Sequence, residues 1–408
     1  MDINIKMEQK VVVIGHGYTS RLGIIRSLGA IGCEITVIVM VFHSRIGRFF
    51  RFDGGKPVDC HSKFVSRVFY CQAKDKENLI KLLLDKCTDS NQKVVIIPDS
   101  DFSASVIDNN QERLKDHFLF PHINHEPGAV EHWMKKTTQK QLAREVGLNV
   151  ASGRTIPVNN RLYQLPEGIN YPCFTKPLLT INGGKSFLRR CNNESELRKV
   201  LDGVGQHFNT DVLVEDYISI EKEYAVVGFS DGDKVIIPGV IEFLVNSPSH
   251  FGIAREGKIM PVAGFEDLLS LFKNFIQRVG FIGLFDIDFF LSKGTFFFGE
   301  MNLRFGGSGY AYTAMGVNLP AMLVKYLNGV DISEMKKDVT ETATYVNERM
   351  CVDDWSFYHI SKQEIIKRID TADIKFVYDS EDTGPQKKLE RYILQQKVKR
   401  ALRKWLSR

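Results

Sequence analysis

Cysteine chemistry is sparse in this chain. Its seven cysteines (Cys33, Cys60, Cys71, Cys87, Cys173, Cys191 and Cys351) are scattered, odd in number and contain no Cys-x-x-Cys pair. That argues against a zinc site and a disulfide framework, and for reduced thiols in a cytosol. No apolar run approaches the ~18 residues of a membrane span. The first ten residues are polar and lack a charged-then-apolar leader pattern, so a cytoplasmic protein is expected. There is no strong charge of one sign either. Residues 386–408 hold nine Lys/Arg and one Glu, a net of +8, which leaves the first 385 residues at −3. A body of that charge is no nucleic-acid binder. Nothing resembles a serine or cysteine nucleophile with its base. What remains is a globular composition, 43% hydrophobic and 25% charged over 408 residues, enough for two or three domains.

The densest chemistry lies in Phe281–Tyr310, FIGLFDIDFFLSKGTFFFGEMNLRFGGSGY. Two apolar runs flank Ser292-Lys293-Gly294, which predicts a hairpin. Asp286 and Asp288 alternate with Phe285, Ile287 and Phe289, so both carboxylates share a face. The second strand, from Thr295 to Phe298, delivers Glu300, Asn302 and Arg304 at steps of two. Folding back sets Asp288 opposite Glu300 and Asn302, with Arg304 and the Gly306-Gly307-Ser308-Gly309 loop beyond. Carboxylates and an amide oxygen beside an arginine suit Mg²⁺ carrying phosphate; the other reading is an acidic hairpin tied up in structural salt bridges.

Asp288, Glu300, Asn302 and Arg304 resemble the metal-binding signature of the ATP-grasp superfamily. The DIDFFL strand and RFGGSGY are most similar to the branch containing D-aspartate ligase and related bacterial carboxylate–amine ligases. Carbamoyl phosphate synthase large-chain and biotin carboxylase domains resemble it more distantly. The likeness covers about residues 10–330. It implies an α/β chain: a Rossmann-like pre-ATP-grasp domain (1–130), then an α+β ATP-grasp domain (131–330) whose two lobes clasp ATP. The mobile lobe would span about 150–216, and a small region (331–408) would close the chain. The implied chemistry joins a carboxylate to an amine through an acyl phosphate, releasing ADP and phosphate. Asp288, Glu300 and Asn302 would hold Mg²⁺, for which Mn²⁺ can substitute. Arg304 would steady the phosphoryl group and then the oxyanion. The rivals are carbamoyl-phosphate-type chemistry, for which no glutaminase segment is visible, and a non-catalytic nucleotide-binding scaffold at the membrane surface.

Taken in order, KVVVI (Lys10–Ile14) predicts a buried strand, followed by Gly15-His16-Gly17-Tyr18-Thr19-Ser20, a helix and the strand EITVIVMVF. A glycine turn at a helix start suits an anionic ligand. Ser20 stands where the third glycine of a dinucleotide fingerprint belongs, and no acidic residue closes the second strand. By resemblance this is the pre-domain, with Gly17 and Ser20 toward a substrate. DKENLIKLLLDKC reads as a helix and KVVIIPDSDF carries the next strand. Past it, Asp99 and Asp101 either touch an amine substrate or cap the next helix.

HWMKKTTQKQLAREVGL predicts an amphipathic helix burying Leu142, Ala143 and Val146; the resemblance makes its Lys136 the first ATP-contacting lysine. In YPCFTKPLLTINGGKSF, a strand carries Lys176 to Pro177 and a glycine loop. This is no Walker A loop, because Leu179 stands where its first glycine belongs. By resemblance, Lys176 meets phosphates while Gly183, Gly184 and Lys185 form a flap that excludes water from the acyl phosphate. In DVLVEDYISIEKEYAVVGF the family order gives Glu215 the adenine amino group, Tyr217 and Ile218 the ring edge, and Glu223 the ribose. Glu221 rivals Glu223. Gly306, Gly307 and Ser308 would approach substrate, and His250 and Arg255 could reach a substrate carboxylate.

Strands are expected in ETATYVNERM and DIKFVYD, then a polar break at EDTGPQ and a final helix. Leu394, Val398, Ala401, Leu402 and Trp405 share a face there, and basic residues occupy the rest. Such a helix either lies on an anionic bilayer at the inner face of the membrane or packs on the body. The expected partners are small carboxylate and amine substrates, one of them envelope-linked, with a homodimer left open.

Overall fold

The computed structural model describes residues 8–15, 19–41, 56–73, 75–178, 187–207, 209–248, 254–358 and 361–406. The continuous β-branched runs near the N-terminus form strands, as their composition requires. They are β1 (Lys10–Gly15), β2 (Glu34–Val41), β3 (Val65–Gln72), β4 (Val94–Pro98) and β5 (Phe118–Leu119). All pair in parallel in the order β3-β2-β1-β4-β5. The order reverses between β1 and β4, so a crevice lies beyond their C-terminal ends, at Gly15 and Asp99. The expected helix at 75–87 is present as Lys76–Lys86, with Asp75 accepting a bond from the Asn78 N–H at 2.9 Å.

β6 (His122–Ile123) leaves that sheet and joins the large one described below. A small antiparallel sheet follows, made of β7 (Gly153–Val158), β8 (Cys173–Pro177), β9 (Arg189–Cys191) and β10 (Thr210–Asp216), in the order β7-β10-β8-β9. Helix Glu194–Gly205 covers one of its faces through Leu197, Leu201 and Val204.

The large sheet is built from β11 (Lys222–Asp231), β12 (Val235–Ile236), β13 (Val240–Asn246), β14 (Ala254–Met260), β15 (Phe281–Ser292), β16 (Thr295–Asn302), β17 (Ala343–Val346) and β18 (Ile374–Lys375). Its main order is β16-β15-β11-β13-β14-β17-β18, with β12 on β11 and β6 on β15. Helices Lys136–Glu145 and Glu266–Val279 cover one face through Leu142, Leu269, Phe272 and Phe275. The other face shares a core with the parallel sheet, where Val13, Ile35 and Ile97 meet Val227, Phe305, Tyr312 and Leu319.

Beyond residue 330 the observed elements differ from the expected ones. ETATYVNERM is a strand only over Ala343–Val346; from Glu348 the chain is helical to Tyr358. DIKFVYD is a strand only over Ile374–Lys375. The reason is Glu348, whose buried carboxylate accepts the N–H groups of Phe376, Val377 and Tyr378 at 2.8–3.2 Å. Phe376 still shares its N–H with the Val346 carbonyl oxygen at 3.2 Å, and beyond it Val377 and Tyr378 turn to Glu348 instead of a strand partner. The expected break at EDTGPQ is the start of helix Thr383–Leu406. Pro385 falls in its first turn, where no N–H is needed. Leu389 is fully buried among Leu22, Val58, Val352 and Val377, whereas Leu394 is 61% exposed. The other members of the predicted stripe, Val398, Ala401, Leu402 and Trp405, lie outside the described side chains.

Candidate active site

The β15–β16 hairpin is closed by Lys293 (φ 49°) and Gly294 (φ 73°). Positive φ at both central residues is the two-residue turn whose twist matches the strands. Register then runs Ser292 to Thr295, Leu291 to Phe296, Phe290 to Phe297 and Phe289 to Phe298. It shifts at the next step, where Asp288 pairs with Glu300 and Asp286 with Asn302. Gly299 is the extra residue of a bulge, and a side chain there would meet the Asp288 carbonyl oxygen at 2.8 Å. The bulge has a chemical consequence. Phe298 points with Phe289 into the core, yet Glu300 faces Asp288 on the opposite side. Period-two alternation alone could not produce both.

A cavity of about 460 Å³ lies between this hairpin and the small sheet. Its walls bring together Lys136, Lys176, Glu215, Tyr217, Ile218, Glu223, Asp288 and Glu300, all singled out in the sequence. Lys136 and Glu300 are paired at 2.6 Å. Lys176 reaches Glu215 at 3.0 Å, a diagonal contact that follows from the pairing of Phe174 with Glu215. Glu223 accepts a bond from Asn246 Nδ2 at 2.6 Å. Its rival Glu221 instead accepts the Lys293 N–H at the hairpin turn and does not line the cavity.

Beside the cavity, Arg304 Nε donates to Asp101 Oδ1 at 2.8 Å and Nη2 to Asn302 Oδ1 at 3.3 Å. Asp101 is therefore drawn to the hairpin. The cap of its helix is Ser100, which closes a reciprocal pair with Ser103. Neither Asp99 nor Asp101 caps. Asp99 accepts from Ser20 Oγ, so Ser20 is tied to the β1–β4 crevice. Gly306 packs on the Asp286 carboxylate, where a side chain would come within 2.8 Å, and Gly307 faces open space. Ser308 sits in the turn leading to helix Tyr310–Ala314. Arg255 does not reach out as expected, because it is buried and ion-paired to Glu256 at 2.9 Å and to Asp354 at 3.2 Å. Gly17, Gly183, Gly184, Lys185 and His250 lie outside the described residues.

Lys140 is a site residue that the sequence reading missed. It ion-pairs with Glu215 from below, with its side chain only 6% exposed. The available signal was its spacing of four from Lys136 on a predicted helix, which puts both lysines on one face.

The charge balance is uneven. Burial pushes the Asp288 carboxyl well above its ordinary range, and Asp286 and Glu300 add to the effect. Burial likewise pushes Asp286 up to about 6, against the pull of Arg304. Glu300 is held down at about 2, chiefly by Lys136. Asp286 Oδ1 is buried without a hydrogen-bond partner. This oxygen-only set, crowded with negative charge and one unpartnered oxygen, fits a hard divalent cation. Among the described residues no three His, Cys, Asp or Glu side chains could hold a metal by themselves. Glu300 is turned to Lys136 here, and Asn302 supplies an amide oxygen rather than a carboxylate.

Residues 141–320 match the family model described as the ATP-grasp domain. This chain carries an ATP-grasp domain. Among curated proteins, this chain is similar to the carbamoyl phosphate synthase large chain of Gemmatimonas aurantiaca, 22% identical over 214 residues. That match covers 51% of this chain and 19% of the relative, so the chain spans about a fifth of the relative's length. Among solved structures, the L-amino acid ligase of Bacillus licheniformis matches 83% of this chain and 79% of its own, with TM-score 0.60 and 17% identity. The N5-carboxyaminoimidazole synthetase of Staphylococcus aureus matches 88% and 87%, with TM-score 0.62 and 15% identity, and is also solved with ADP. At these identities the likeness is one of fold.

Proposed function

We propose that the protein is an ATP- and Mg²⁺-dependent ligase that joins a carboxylate to an amine. The observation that carries this reading is the single cavity in which Lys136, Lys176 and Glu215 face Glu223, Asp288 and Glu300. Bound there, MgATP would supply a transferable phosphoryl group with its charge partly neutralised. Asp288, Glu300 and Asn302 are the residues assigned to the metal, and Lys136 and Lys176 those assigned to phosphate. Glu215, Tyr217 and Ile218 line the end assigned to adenine; Glu223, steadied by Asn246, is assigned to ribose. Arg304, aimed by Asp101, would stabilise the negative charge that develops on the acyl phosphate and then on the tetrahedral carbon's oxygen. Gly183, Gly184 and Lys185 are assigned the closing flap, with Lys185 in a catalytic role, on the resemblance alone. Gly17, Ser20, Asp101, Gly306, Gly307 and Ser308 are assigned to substrate, and the bond between Ser20 and Asp99 at the sheet crevice supports that side of the site.

The domain division 1–130, 131–330 and 331–408, with a mobile lobe about 150–216, belongs to the same reading. So does peripheral contact of 386–408 with an anionic bilayer, supported by the exposure of Leu394 and the net +8 of that stretch; it would suit an envelope-linked acceptor.

The test is Mg²⁺-dependent ADP release with a panel of amino acids and carboxylates, beside an Asp288→Ala/Glu300→Ala control. Release stimulated by one donor–acceptor pair and lost in the control is expected. Bicarbonate- and ammonia-dependent release with no response to amino acids would favour the carboxyphosphate chemistry instead.

A further inference from the structure

The roles assigned above leave Lys140 without a task. It stands one helical turn after Lys136, and its Nζ ion-pairs with Oε1 of Glu215. Its hydrogen bond to the Ala151 carbonyl oxygen is long at 3.4 Å. Glu215, with a side chain 2% exposed, holds Lys176 through its other oxygen at 3.0 Å. The two lysines differ in position. Lys176 is 22% exposed and lines the cavity; Lys140 is buried and does not. One carboxylate thus carries one locked cation and one at the cavity wall.

A buried carboxylate stripped of every cation is costly, so the cation that stays decides whether the other can leave. Lysine is a point charge on a flexible four-carbon stem and can change partners without backbone motion. Lys176 has room to do so, while Lys140, enclosed on its helix, does not. We propose that Lys140 is a positioning residue, the standing counter-ion of Glu215 that frees Lys176 to pair with a phosphate of the bound nucleotide. The inference rests on the nucleotide reading of this cavity. It predicts a selective effect. Without Lys140, Glu215 keeps Lys176, and the nucleotide loses a phosphate contact but no contact to its base or sugar. A residue that merely supports the helix would weaken adenosine and ADP alike.

The test measures binding of ADP and adenosine to full-length wild type, K140M, K140R, E215Q and E215Q/K140M by calorimetry, with folding checked by thermal melts. The wild-type preference for ADP over adenosine should fall by ~10-fold or more in K140M, the scale of a lost charge-assisted contact. Adenosine binding itself should barely move, and K140R should retain the preference. An unchanged preference in K140M, or equal losses for both ligands, overturns the proposal. If K140M does not fold, the pair E215Q and E215Q/K140M decides, since neither buries an unpaired carboxylate. Equal ADP preference in the two supports the proposal. A drop on removing Lys140 from E215Q overturns it, because Lys140 then has no charge to neutralise. Wild type that binds neither ligand overturns the nucleotide reading and this inference with it. Wild type that prefers ADP while the K140M pattern fails overturns the inference alone.

Discussion

Lys136 and Glu300 are bound to each other at 2.6 Å, although one is assigned to phosphate and the other to the metal. Each keeps its partner charged in a region where an unpaired ion is costly. The proposed substrate must therefore separate a pair that stabilises the free protein. Glu300→Gln should lower stability at neutral pH by about 3 kcal/mol, because the buried Lys136 would lose the carboxylate it is paired with. The pH dependence is distinctive. The folded-state value of Glu300 is depressed to about 2, so its contribution is full above ~4.5 and lost as pH falls from there toward 2. Urea midpoints measured across that window should converge for wild type and Glu300→Gln at the acid end. Parallel curves would dismiss the pair as a stabilising element.

Asp286 behaves with the opposite sign. Its folded-state value is raised to about 6, so the folded state favours the protonated form, and that contribution disappears as pH rises from ~4 to about 6. Ligand-free protein should lose stability over that interval through this group, and Asp286→Asn should recover it at neutral pH. A divalent cation should do the same without mutation. Thermal melts with and without Mg²⁺ should therefore show a larger stabilisation at pH 7 than at pH 5. Equal stabilisation at both would remove the carboxylate cluster as its source.

Asp101 should matter to rate more than to nucleotide binding. It fixes Arg304 from outside the cavity through one 2.8 Å bond, and outer partners of this kind contribute ~10–100-fold. Asp101→Asn should lower kcat on that scale while the Kd for ADP is retained. An equal loss in ADP affinity would make Asp101 part of the nucleotide wall instead.

Much of this site was legible in the sequence because local rules act where the chemistry lies. The Lys293-Gly294 turn sets the hairpin, and alternation aims Asp286 and Asp288. Less legible were features that depend on partners distant in sequence. The bulge at Gly299 is visible only once β15 is paired with β16. Lys140 looks like any helical lysine until Glu215 is folded onto it. Asp101 was expected either to meet substrate or to cap a helix; Ser100 takes the cap, and Arg304, 203 residues away, takes Asp101. The same holds beyond residue 330, where apolar runs promised longer strands and Glu348 instead takes the N–H groups of Val377 and Tyr378.

That last arrangement makes the C-terminal region part of the fold. β17 pairs with β14 from Glu256–Val346 to Ile259–Ala343, so its removal exposes an edge of the large sheet. Arg26, with its side chain 3% exposed, binds Asp382 at 3.0 Å and the carbonyl oxygens of Phe376 and Val377 at 2.8 and 2.9 Å. A chain ending at residue 330 would leave that guanidinium buried without these acceptors and the β14 edge open to pairing with other chains. It should be aggregated or unfolded. A chain ending at residue 395 keeps Leu389 and all of these contacts, and should melt within a few degrees of the full protein. Size-exclusion chromatography and thermal melts of the two truncations separate the cases. A folded, monomeric 1–330 fragment would mean that the edge and Arg26 are satisfied by other means. If only the longer truncation folds, the last residues of helix Thr383–Leu406 are dispensable to the fold and free to serve at a surface.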